Sequence, residues 1–251
     1  LVTVYDDPIR VVPLPTTRRG PTGVHCVPPG PLDPRVRELP VDVTVAAPPS
    51  GHPDGPSFFR AHNALALREL MAHEAVPGHA LQFSHAIRHR GRPRVRTVLH
   101  NASFVGGWAA RAAERLAAPG RTDRGGGPER RDELGARLVQ LKTRLRTLID
   151  TILDVRVHAK DITETEAIAL MTERGHQERS EAVDKWRRVQ VAGAQLSTHY
   201  AGHLELSEIA RELATERPGA SERELHDAML AHGSPAPRHL RTLLGLDPAR
   251  P

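Results

Sequence analysis

The stretch LMAHEAVPGHALQ (Leu70–Gln82) places His73 and Glu74 side by side and a second histidine, His79, six residues after the first. It comes close to His-Glu-x-x-His, the helix on which zinc proteases hold their metal. There, two histidines at i and i+4 share one helix face and the glutamate acts as base toward the attacking water. At i and i+6 an unbroken helix would turn the two rings about 240° apart, beyond one full turn, and they would diverge. Between them stand Pro77 and Gly78. Proline removes a backbone donor and glycine reaches conformations closed to other residues, so this pair suits a local loop-out. The spacing therefore predicts a helix up to about Ala75, a distortion at Pro77-Gly78, and a second helix from His79 to about residue 90. The two histidines can converge across that break. With 15 histidines in the chain, the pair alone does not separate a metal site from coincidence.

Working outward, FFRAHNALALRELMAHEA (58–75) has apolar residues at helical spacing, with Ser57 as its expected N-cap. Upstream, residues 1–57 are rich in proline and lean toward β structure. LVTVY, IRVVPLP and VDVTVAAP are short apolar runs divided by RRGPTG, PPGP and PPSGHPDGP. Proline within or beside each run points to edge strands or extended segments. Downstream, the second helix should stop near Gly91 and Pro93, and GGWAARAAERLAA (106–118) reads as a helix closed by Pro119-Gly120. GRTDRGGGPERRDE (120–133) reads as a solvated loop. A long helix is expected over about 132–159, with Leu134, Leu138, Leu141, Leu145, Leu148, Ile152 and Val155 on one stripe. Thr163 and Glu166 form a capping box for the next helix, and helices over about 178–214, with a break, and 221–232 complete the chain. The expected fold class is mainly α: a zincin-like helical domain over 58–251 behind a short β-rich or extended segment over 1–57.

Composition narrows the function classes. Of 251 residues, 39% are hydrophobic and only 3% aromatic, so the core leans on Leu, Val and Ala. Net charge is +5, carried almost wholly by arginine, but the arginines are interleaved with Asp and Glu and few aromatics accompany them, which argues against a nucleic-acid partner. Cys26 is the single cysteine, so no internal disulfide forms. No apolar run approaches the ~18 residues of a membrane span and no signal peptide opens the chain, so a cytoplasmic location without a membrane partner is the expectation. The first residue is Leu, and the opening reads like mid-chain strand, which suits a processed product or a fragment.

HEAVPGHALQ resembles the His-Glu-x-x-Pro-Gly-His-x-x-Gln hallmark of a large bacterial domain-of-unknown-function family, number 885. It is more remotely similar to thimet-oligopeptidase-like and thermostable-carboxypeptidase zinc peptidases. SFVGGWAARAAERL, LDVRVHAKDITETEAIALMTERGHQE and KWRRVQVAGAQLSTHYAG support the resemblance, in the family's order, over most of 58–245. The likeness is to the C-terminal part of a member, which implies a missing N-terminal half or a partner chain. The resemblance implies zinc held by His73 and His79, with Glu74 as general base.

The third ligand implied is the glutamate of Phe-Val-Glu-Gly-Trp. Here the stretch reads Phe104-Val105-Gly106-Gly107-Trp108, so the position is Gly106, with no side chain to donate. Arg111 stands near the place of a family tyrosine, and His199 stands where another tyrosine is expected, with Tyr200 beside it. Asp154 and His158 match an Asp-x-x-x-His feature at i, i+4. Glu114 lies about 12 Å further along the helix than Gly106, too far to substitute. His100, Asp154 or His158 could replace the lost ligand, and the sequence selects none of them.

Two readings follow. In the first, the protein is a zinc-dependent hydrolase of peptide or amide bonds. Glu74 is then the base, His158 and Tyr200 assist catalysis, and Arg111, Asp154 and His199 contact the peptide or small amide substrate. In the second it is a catalytically impaired relative that acts as a binding or regulatory partner, since a catalytic zinc uses three protein ligands and Gly106 removes one.

Overall fold

The computed structural model describes residues 1–14, 24–45, 59–89, 98–118 and 128–247, the side chains of 128–130 excepted. Strands β1 (Ile9–Pro13), β2 (Val24–Val27) and β3 (Val41–Val45) precede a run of helices. These are α1 (Ala64–Glu74), α2 (His79–Ala86), α3 (Ala102–Leu116), α4 (Pro128–Ala159) and α5 (Glu164–Ala169), which runs into a π-helical turn (Leu170–Arg174). After it come α6 (Arg179–Val189), α7 (Leu196–Glu216), α8 (Glu222–Leu230) and α9 (Pro237–Leu243). The mainly α class with a short strand segment at the N-terminal end is as expected.

The sheet order is β1-β3-β2, with β3 parallel to β1 and antiparallel to β2. VDVTV, expected at an edge, is thus the central strand. Pro40 precedes it and leaves every N–H from Val41 to Val45 free to pair. LVTVY forms no strand, while VHCV (Val24–Val27) does. Val24 and Val43 pack on Ala75 beyond the end of α1, with Leu70 and Met71 alongside, so the sheet closes over the His73–Glu74 turn.

Local chemistry sets the helix ends. Ser57 lies outside the described residues, as do the expected turns at 18–23 and 48–56, the Gly91-Pro93 stop and Pro119-Gly120. Asn63 caps α1, accepting from Ala66 N at 3.0 Å, so the expected single helix from 58 is interrupted there. Asn101 caps α3 four residues earlier than the expected start. Thr163 and Glu166 form the expected capping box of α5. The expected break in 178–214 falls between Val189 and Leu196, where Ala194 has φ 59°.

Phe104, Trp108 and Ala112 of α3 pack on Leu206, Ile209 and Leu213 of α7, with α8 and α9 closing the cluster. A second cluster joins Ile149 and Leu153 of α4 to Ala167, Ile168, Met171, Ala182 and Val189. Leu145 of the expected α4 stripe packs against this cluster, but most of the stripe is exposed. Leu134 and Leu138 are 63% and 68% exposed, and Leu141, Ile152 and Val155 are exposed too. The helix instead buries Gln140, Ile149, Leu153 and Asp154, the last of which holds the start of α7, as described below. The helix also begins at Pro128, within the stretch expected as loop.

Candidate metal centre

His73 and Glu74 end α1 and His79 begins α2, with Ala75–Gly78 looped out between them. Gly78 sits so close to the end of α1 that a Cβ there would lie 1.8 Å from the His73 carbonyl oxygen. Only glycine permits that approach. The Val76–Pro77 peptide is cis, and the buried indole Nε1 of Trp108 donates to the Pro77 carbonyl at 3.0 Å, tying the loop to α3. The His73 and His79 rings meet nearly at right angles, 87°, with centroids 4.9 Å apart. The i, i+6 pair converges as the Pro-Gly break predicts.

A third imidazole comes from α7. Gly107 and Gly202 let α3 and α7 touch backbone to backbone: a Cβ on Gly107 would lie 2.3 Å from the Gly202 carbonyl carbon. His199 is one turn before Gly202 on the same face of α7, so this close crossing delivers its ring beside Gly106. A Cβ on Gly106 would lie 2.7 Å from His199 Cδ2 and 3.0 Å from Nε2. The His199 imidazole occupies the volume that a side chain at 106 would need. His73, His79 and His199 each present a ring nitrogen within 4.8 Å of the others.

All three imidazoles are neutral at physiological pH. Burial pushes His73 well below the usual value, with neighbouring His79 and His199 adding to it. Burial takes His79 down to about 4, and it lowers His199 as well. One ring nitrogen of His199 faces the Gln195 carbonyl, which fixes the ring and leaves the other for a ligand. A neutral three-histidine set at this spacing fits zinc.

Glu74 leans the other way. Burial raises its carboxyl to about 7, the Cys26 N–H donating to Oε2 at 2.8 Å opposes the rise, and Glu69 adds to it. The donor is an edge N–H of β2, which is how the strand segment positions the candidate base. A carboxyl near 7 is suited to exchanging protons at neutral pH. The centre opens into a cleft of about 900 Å³ lined by α1, α2, α3, α4, α6 and α7.

Tyr200 lines this cleft, stacked on His203 with ring centroids 6.4 Å apart. The other sequence candidates lie elsewhere. Arg111 donates to Ser207 at 3.2 Å and lies 3.2 Å from His226 Nε2, lining a separate recess. Asp154 is a scaffold carboxylate, accepting from the N–H groups of Ala194 and Ser197 and from the Ser197 hydroxyl. These bonds hold its pKa down despite burial, and they cap the start of α7. His158 Nε2 lies 2.9 Å from the Val189 carbonyl and 3.6 Å from Asp154, so it braces the same corner. Neither Asp154 nor His158 lines the cleft, and neither replaces the lost ligand. His100 lines the cleft but is outside the three-imidazole group.

Sequence reasoning passed over Glu69 and His203. Glu69, one turn before His73, is raised to about 7 by burial against a hydrogen bond from Thr143 and the nearby Arg146. His203 Nε2 lies 3.1 Å from Glu114, whose other oxygen takes Arg144. Both were legible as i, i+4 neighbours of His73 and His199.

The structure is similar to that of a "putative lipoprotein of unknown function" from Shewanella oneidensis, with TM-score 0.75 and 28% identity over 97% of this chain and 41% of that one. It is also similar in fold to the "putative lipoprotein" from Colwellia psychrerythraea, with TM-score 0.80 and 20% identity over 97% of this chain and 38% of that one. The chain thus spans about two-fifths of the length of these structures. No match is found among curated proteins. The family model described as "Bacterial protein of unknown function (DUF885)" matches residues 2–244.

Proposed function

The chain belongs to this bacterial family, DUF885, and on that premise we propose that it is a metal-dependent hydrolase of peptide or amide bonds. The observation that carries it is the three-imidazole group of His73, His79 and His199 beside a carboxylate raised to about 7. His73, His79 and His199 would hold zinc, which when bound supplies Lewis acidity to a substrate carbonyl and lowers the pKa of water.

Glu74 takes a proton from the water that adds to the carbonyl carbon. The C–N bond then breaks, and Glu74 returns that proton to the departing amine. The Cys26 N–H holds the carboxylate in place through both transfers. The Tyr200 hydroxyl, on the cleft wall, is the donor available to the carbonyl oxygen as charge develops on it. The impaired-relative alternative drew its force from Gly106. With His199 filling that volume, the loss of a carboxylate need not mean the loss of a ligand.

No described helix is long and apolar enough to cross a membrane. The lipoprotein designation of the Shewanella relative extends the proposal to an envelope location in place of the cytoplasm.

Hydrolysis of a fluorogenic peptide library by the zinc-supplemented protein tests the activity. It should be abolished by a chelator, restored by zinc, and reduced about 10²–10⁴-fold in Glu74→Gln with zinc content unchanged. Hydrolysis that survives Glu74→Gln, or none in the wild type with zinc bound, would sink it.

A further inference from the structure

The described cleft lining carries six cationic side chains: Arg60, Lys142, Arg144, Arg146, Lys185 and Arg188. Four of them are matched by carboxylates. Arg60 pairs with Glu178 at 2.9 Å, Arg144 with Glu114 at 3.1 Å, Arg146 with Glu181 at 3.0 Å and Lys185 with Asp150 at 2.7 Å. Arg188 differs. Among the described residues its guanidinium makes no hydrogen bond or ion pair, and its Nε is shut away from solvent without a partner.

Its position makes this informative. Arg188 lies one turn after Lys185 on α6, and the adjacent Asp150 is already taken up by Lys185. Both Asp150 and Arg188 are near enough to His199 for their charges to act on its ring. The unmatched guanidinium therefore faces the same cleft as the three imidazoles, close to one of them. Native proteins rarely leave a buried N–H unpaired; the terminal nitrogens, which are not shut away and also lack a protein partner, are the donors that a ligand acceptor in the cleft can meet. A guanidinium is planar and offers parallel N–H groups at the spacing of the two oxygens of a carboxylate. A cleft of about 900 Å³ is of the size that takes a ligand of a few residues.

We infer that Arg188 anchors a carboxylate of the substrate, so that the preferred substrates are short peptides or acylated amino acids with a free carboxylate near the scissile amide. The inference rests on the hydrolase proposal only for calling the ligand a substrate. Arg188 is then a specificity-determining residue: it sets which end of the ligand lies near His199, and it takes no part in proton transfer. Amidated peptides and the interior of long chains lack the group it recognises.

The binding step is separable from catalysis and from metal. Isothermal titration of the metal-stripped protein would use N-acetyl-alanyl-alanine as the free acid and as its C-terminal amide. Without metal, the carboxylate gains nothing by ligating an ion. The acid should bind at least about tenfold tighter than the amide. Arg188→Gln should erase that preference, and Arg188→Lys should restore part of it, with zinc uptake in both variants equal to wild type. Equal affinity for acid and amide, no binding of either, or a preference that survives Arg188→Gln would each overturn the inference. A preference for the acid in a protein that hydrolyses nothing would leave the anchor standing while the hydrolase proposal falls. Hydrolysis without the preference would do the reverse.

Discussion

The two halves of the three-imidazole group are built in opposite ways. His73 and His79 come from one stretch of seven residues, brought together by a loop that Gly78 makes possible and Trp108 pins. His199 comes from a helix more than a hundred residues later, and its place depends on α3 and α7 meeting at Gly107 and Gly202. The local half is fixed by chain geometry and leaves little freedom. The distant half is a volume between two helices, and a side chain from either can enter it. The family resemblance implies a glutamate reaching in from α3 at position 106. Here α3 offers Gly106 and α7 offers an imidazole in the same volume, so in the proposed site the position of the ligand is kept while its origin changes.

The largest effect expected from breaking the comparison is at that shared volume. Gly106→Glu alone places a side chain where the His199 ring lies, and crowding of this kind costs typically about 1–3 kcal/mol. Chemical denaturation should show that loss, together with weakened zinc binding. The double variant Gly106→Glu/His199→Ala should recover both stability and zinc, the ligand now coming from α3. If the double variant is no better than the single, the two side chains do not share one volume.

The pH dependence of the metal-free protein sharpens the comparison next. The three imidazoles have folded pKa values below 6.5, His79 at about 4. Between about pH 4 and 6.5 the folded chain therefore binds fewer protons than the unfolded one, and stability is lost as pH falls through that window. Glu69 and Glu74 are raised to about 7, so between about pH 4.5 and 7 the folded chain holds their protons more tightly. Their contribution is lost as pH rises through 7. The imidazoles should lower the melting temperature as pH falls from about 6.5 toward 4, and the carboxylates should lower it as pH rises from about 4.5 to 7 and not beyond, each by several degrees at ~2–4 °C per kcal/mol. The gap in melting temperature between wild type and Glu69→Gln should change between about pH 4.5 and 7 and be constant at higher pH; a gap that changes only above that range would refute the assignment.

A smaller effect is expected where the two halves are joined. Trp108→Phe keeps most of the ring in the α3–α7 core but deletes the hydrogen bond to Pro77. It should cost about 1 kcal/mol and loosen the Ala75–Gly78 loop, visible as faster amide exchange at Ala75 and His79. Unchanged exchange there would mean that Gly78 packing alone fixes the loop.

The same contrast explains what the sequence could tell. Helix positions, the break at Pro77-Gly78 and the Thr163 capping box follow from residues a few positions apart, so they could be read directly. The α4 stripe could be read as a pattern, but not as largely exposed, because burial on this helix falls on residues such as Asp154 whose partners, Ala194 and Ser197, are distant in sequence. Asp154 and His158 resemble a site pair in sequence for the same reason: i, i+4 spacing does not say what the pair faces. His199 was visible only as a departure from a tyrosine. Its role needed the knowledge that Gly107 and Gly202 cross, which no local pattern carries.

X-ray absorption at the zinc edge, on wild type and on His199→Ala, tests the centre most directly. The wild type should bind one zinc per chain with three imidazole nitrogens at about 2.0–2.1 Å, and His199→Ala should show two imidazoles and a much weaker affinity. A wild type that takes up no zinc, or an imidazole count and affinity unchanged in His199→Ala, would contradict the claim that α7 supplies the third ligand.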